Sequence, residues 1–70
     1  MGQPDTALRT YRIYLRDSKD MLAQSQDVDL PSDEDAHQLA ARLLREQSTY
    51  PCAEVWDRTR LVCIVRQDEV

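Results

Sequence analysis

Pro31-Ser32-Asp33-Glu34-Asp35-Ala36-His37-Gln38-Leu39-Ala40-Ala41-Arg42-Leu43-Leu44 reads as a helix by each local criterion. Ser32 can cap it, the acids of the first turn meet the positive end of the helix dipole, and Asp35 stands at the third helical position of a capping motif. Ala36, Leu39, Ala40, Leu43 and Leu44 recur at the spacing of one helix face and leave Glu34, Gln38, Arg42 and Arg45 to water. The helix should end near Gln47 or Ser48, because Pro51 cannot continue it.

On either side of this helix the apolar period changes from helical to alternating. From Thr10 to Arg16, Tyr11, Ile13 and Leu15 share one side and Arg12, Tyr14 and Arg16 the other, the pattern of a strand with one face in a core. Asp17-Ser18-Lys19-Asp20 is a polar turn, and the chain then runs extended from Met21 to Leu30. The polar middle of that run, Gln24-Ser25-Gln26-Asp27, suits a bulged or broken edge strand rather than a central one.

Beyond the helix, Cys52–Trp56 and Leu61–Val65 flank Asp57-Arg58-Thr59-Arg60, a polar hairpin loop. With Trp56 opposite Leu61, a regular ladder pairs Val55 with Val62 and Ala53 with Ile64 on the core face. It then pairs Glu54 with Cys63 and Cys52 with Val65 on the other. The expected fold is α+β: a ββαββ chain forming a four-stranded antiparallel sheet in the order 2-1-3-4, with the helix on one face. Residues 1–9 are read as a flexible leader, 10–66 as one domain and 67–70 as a flexible tail.

Seventy residues with 41% apolar side chains allow one small core and no second. A domain of this size buries about 60% of its unfolded surface, so a supplement to the core is expected. Two cysteines and one histidine are too few for a common four-ligand zinc site, which leaves a partner subunit as the favoured supplement. Nine basic against thirteen acidic residues, a net charge of −4, argue against a general nucleic-acid or anionic-membrane binder. No stretch reaches the roughly 20 apolar residues of a membrane span, and no secretory signal opens the chain, so a cytoplasmic protein is expected.

Few residues suggest chemistry. In the regular register Cys52 and Cys63 are diagonal on the same face, too far apart for a disulfide, so two reduced packing thiols are expected. His37, one turn after Asp33 and Glu34, has no second ligand segment to complete a metal site or an acid/base pair. The acids from Asp20 to Asp35 lack the alternation and the glycine of a calcium loop. There is also no phosphate-binding glycine loop, no nucleophile elbow and no His-Glu-x-x-His. The reading is therefore of a non-enzymatic protein with no cofactor and no metal.

The surface with most to say is the sheet face turned away from the helix, where Arg12, Tyr14, Arg16, Glu54, Trp56, Leu61, Cys63 and Val65 are expected to project. Trp, Tyr and Arg are enriched at interface anchors, and an uncovered face bearing them implies contact with something. A homodimer is the first expectation, through this face or through the outer edge of Leu61–Val65. Single-stranded nucleic acid stacked on Tyr14 and Trp56 is the sharper alternative.

Tyr11 to Asp17, the acidic helix start at Ser32 to Ala36, and Glu54-Val55-Trp56-Asp57 followed by Arg60-Leu61-Val62 resemble a family of short proteobacterial proteins of unknown function. The resemblance spans roughly Tyr11 to Val65 and implies no activity. The strands ahead of a helix opened by Asp33 to Ala36 are also similar to HicB-type antitoxin domains. Those domains usually carry three strands there and glycines in the turns. That similarity implies a small regulatory protein as an alternative to the self-associating module.

Overall fold

The structure, a computed structural model, describes residues 8–70. The expected leader therefore lies outside the described residues except for Leu8, which is exposed, and Arg9, which already belongs to the first strand. Strand β1 spans Arg9–Arg16, β2 Leu22–Leu30, helix α1 Asp33–Glu46, β3 Cys52–Asp57 and β4 Arg60–Arg66. The sheet is antiparallel throughout, in the order β2-β1-β3-β4, with the helix across one face. No helix among the described residues is long and apolar enough to cross a membrane.

The local signals act as their chemistry requires. The Ser32 hydroxyl accepts from the Asp35 backbone N–H at 3.3 Å and donates to the Asp35 carboxylate at 2.9 Å, so cap and third residue lock each other. In the β1–β2 turn, Asp17 Oδ1 accepts from the N–H groups of Lys19 and Met21, and Asp20 takes a left-handed conformation at φ 63°. The helix ends at Glu46, and the Gln47 N–H still reaches the Leu43 carbonyl.

Alternation puts Tyr11, Ile13 and Leu15 of β1, Ala53 and Val55 of β3 and Val65 of β4 beneath the helix, where all are buried. Ala36, Ala40 and Leu44 close this core from above. Two alanines on the contact stripe let the helix lie close to the strands, and Leu44 fills the far end. The helix rests mainly on β3 and β4 and barely reaches β2, which explains why most of β2 is exposed on both faces. As its polar sequence suggested, β2 is an edge strand, with the ladder irregular where Leu15 and Arg16 meet it.

Two expectations are corrected here. Trp56 does oppose Leu61, but the ladder then slips by one residue: Val55 faces Cys63, Glu54 faces Ile64 and Ala53 faces Val65. Val62 is the extra residue of a β-bulge. The bulge lets Val62, Cys63 and Val65 all pack against the core, where a regular ladder would bury only Val62 and Ile64. Cys63 and Val65 are thus on the helix side rather than the uncovered face, and Ile64 is outside, 42% exposed.

The second correction concerns residues 67–70. Instead of a loose tail, Gln67–Glu69 forms a 3-10 turn. The Gln67 N–H donates to the Pro51 carbonyl at 2.7 Å, and its side-chain amide donates to the carbonyls of Leu44 and Tyr50 at 3.0 and 2.8 Å. One side chain thereby satisfies carbonyls at the helix end and in the connection to β3 that would otherwise be left without partners.

Candidate interaction surface

With the helix on one side, the other face of the sheet presents Thr10, Arg12, Tyr14 and Arg16 from β1, Asp27 and Leu22 from β2, and Glu54 and Trp56 from β3. These residues line an open groove of about 1100 Å³ that crosses the three strands and continues to the β3–β4 loop at Arg58 and Thr59. Of the side chains expected on this face, Arg12, Tyr14, Arg16 and Trp56 share the groove. Leu61 projects from β4 beside it, 43% exposed. Cys63 and Val65 are absent from this face because of the bulge.

Cross-strand register decides the electrostatics of the groove. Arg12 stands opposite Asp27, and its Nε and Nη2 donate to the two carboxylate oxygens at 2.7 and 3.1 Å. Arg16 lies diagonally across from Glu54 and donates through Nε at 2.9 Å, while its Nη1 reaches the Asp20 carbonyl at 3.0 Å. The Trp56 indole N–H donates to Glu54 Oε1 at 3.1 Å. The bond from Arg12 holds the Asp27 carboxyl below its ordinary range, and that from Arg16, helped by the indole, does the same for Glu54. Arg12 and Arg16 are therefore already matched by carboxylates within the chain.

A second polar cluster sits at the N-terminal end of the helix. The buried Tyr11 hydroxyl donates to Asp33 Oδ1 at 2.7 Å, and Arg60 donates to both Asp33 oxygens at 3.1 Å and to Asp57 at 2.9 Å. Arg9 closes on Asp57 at 3.3 Å. Burial, then the bond to Asp33, pushes the Tyr11 phenol upward, and Arg60 draws the Asp33 carboxyl down. The cluster ties β1, the helix start and the β3–β4 hairpin together. The sequence reading missed it, although a tyrosine on a core stripe is itself a signal, since a buried phenol needs a partner.

The remaining candidates separate. Cys52 faces the open side and Cys63 the helix side, so the two thiols point to opposite faces rather than lying diagonally on one. Both are unpaired, and burial pushes each thiol upward, away from the thiolate. His37 is exposed on the helix, and no group of three or more metal-donor side chains occurs among the described residues. Besides Cys63 and Val65, the outer strand carries a third residue that the sequence reading assigned to the wrong side: Ile64, expected in the core, stands with Leu61 on the exposed margin of the sheet. Compared with known proteins, the chain matches no family model, no curated protein and no solved structure.

Proposed function

We propose that the chain is a small non-enzymatic interaction module that associates with a second copy of itself. The observation that carries this reading is the composition of β4. It is an outermost strand, charged only at its ends by Arg60 and Arg66, and it leaves Leu61 and Ile64 43% and 42% exposed. Natural edge strands are blunted by charge, proline, a bulge or a cover; here the bulge at Val62 perturbs one end and the apolar centre is left bare. A domain with so small a core gains from hiding that strip. The same reading puts the module in a reducing, cytoplasmic setting, which suits two unpaired thiols.

The test is solution mass by light scattering across a dilution series, with and without reductant. A dimer that dissociates on dilution and ignores reductant is the expected result; a monomer at every concentration sinks the proposal. A second reading, a small regulatory or antitoxin-like protein that binds single-stranded nucleic acid, draws on the two aromatic side chains of the groove, Tyr14 and Trp56. It weighs less because phosphates would have to displace Asp27 from Arg12 and Glu54 from Arg16. Salt-dependent quenching of Trp56 by an oligonucleotide would favour it.

A further inference from the structure

Resting on the self-association reading, we propose that two copies join edge to edge through β4, antiparallel, about a two-fold axis at Ile64, so that two four-stranded sheets become one of eight strands. Two observations fix this register and a third its antiparallel sense.

The first is the direction of the backbone groups. The Gln67 N–H donates to the Pro51 carbonyl, which makes this pair a hydrogen-bonded rung of the β3–β4 ladder. Rungs of that kind recur at every second residue, so Val65–Ala53 and Cys63–Val55 belong to the same set. The N–H and C=O of Ile64 and Arg66 consequently point away from β3. Arg66 follows this rule, for its N–H donates outward to Glu69 Oε1 at 3.1 Å. Ile64 presents an outward donor and acceptor at the centre of the strand, the arrangement that two identical antiparallel strands need to exchange reciprocal bonds on a two-fold axis.

The second is the match of faces over Cys63–Val65, the stretch beyond the bulge. With Ile64 opposite its own copy, Cys63 of each strand lies opposite Val65 of the other. Both of these side chains belong to the helix side, and the two Ile64 side chains meet on the open side. Centring the axis on Cys63 instead would set buried Val65 against outward Leu61 and Arg60 against Arg66.

The third is charge. The strand begins at Arg60 beside Arg58 and ends at Arg66, where Asp68 and Glu69 of the following 3-10 turn outweigh the one arginine and leave that end net acidic; Arg58 makes no ion pair among the described residues. Antiparallel pairing lays the basic end of each copy along the acidic end of the other. A parallel arrangement would bring like ends together.

The test uses the whole chain and three variants. Ile64→Lys puts two cations on the axis and is expected to weaken dimerisation about tenfold or more without loss of fold, since Ile64 is exposed. Ile64→Cys is expected to give a disulfide-linked dimer under mild oxidation, beyond any background from the native thiols. Residues of a hydrogen-bonded antiparallel pair have Cα atoms about 5.5 Å apart, within disulfide reach. Leu61→Cys, whose two copies would be roughly 20 Å apart in this register, should stay at background. A native dimer that survives Ile64→Lys and does not cross-link through Ile64→Cys overturns the edge register and leaves self-association standing. A native chain that is monomeric throughout overturns both.

Discussion

Arg58 is held at φ 59°, in the left-handed region that costs a side-chain-bearing residue about 1–2 kcal/mol. Glycine avoids that cost but loses more backbone entropy on folding, so Arg58→Gly is expected to stabilise the fold by about 0.5–1 kcal/mol, read as a higher urea midpoint. Leu44→Ala sits at the opposite extreme. Leu44 is the one fully buried leucine of the helix, its other buried residues being Ala36 and Ala40, and its loss is expected to cost about 2–5 kcal/mol. Against the few kcal/mol typical of so small a domain, that leaves the variant largely unfolded at 37 °C by circular dichroism. Ser32 and the β1 trio were legible in the sequence because each declares itself through neighbours one to four positions away. The strained φ of Arg58 was not, since arginine carries no left-handed signature and only the closure of the hairpin imposes it.

At the scale of the elements, the helix and the four strands were readable from periodicity, and β2 was recognisable as an edge from its polar middle. The register of β4 was hidden for a physical reason. Leu61-Val62-Cys63-Ile64-Val65 is apolar at every position, so nothing in its pattern marks which side faces the core. The bulge at Val62 settles the matter by burying more apolar surface than a regular ladder could. A pair of equal substitutions checks it. Val65→Asn is expected to cost about 2–4 kcal/mol by placing an amide in the core, while Ile64→Asn at an exposed position stays within about 0.5 kcal/mol in the monomer. Equal losses, or the reverse order, would restore the regular register.

For the whole molecule, the groups with displaced pKa values define a pH window. Asp27, Asp33 and Glu54 are held below their ordinary values, each first by its arginine. A carboxylate whose folded pKa is depressed contributes stability above its unfolded pKa and loses it as pH falls, so melting temperature should begin to drop below about pH 4. Tyr11, Cys52 and Cys63 are displaced upward by burial. Their contribution is complete below the unfolded values and fades as pH rises, beginning at about pH 8.5–9 for the thiols. A melting temperature that is level between these limits and falls outside them is expected; a fall starting near neutrality would contradict the assignment. The sheet order was deducible from two hairpins joined by a helix. The two ion pairs of the groove were not, because Arg12 with Asp27 and Arg16 with Glu54 are 15 and 38 positions apart and meet only through the register.

The order β2-β1-β3-β4 also bears on how the protein is made. In the finished sheet β1 is a central strand, but on the ribosome one of its sides has no neighbour until β3 has emerged. The hairpin of β1 and β2 and the helix are synthesised first, and together they cannot enclose Tyr11, Ile13 and Leu15, because the helix rests mainly on β3 and β4. The Gln67 bonds that fasten the end of the helix come later still. A nascent chain halted before Val65 would therefore present a bare apolar stripe and an open central edge, the kind of surface that chaperones and proteases recognise. Translational stalling in the second half of the chain should therefore be more damaging than a comparable pause before the helix.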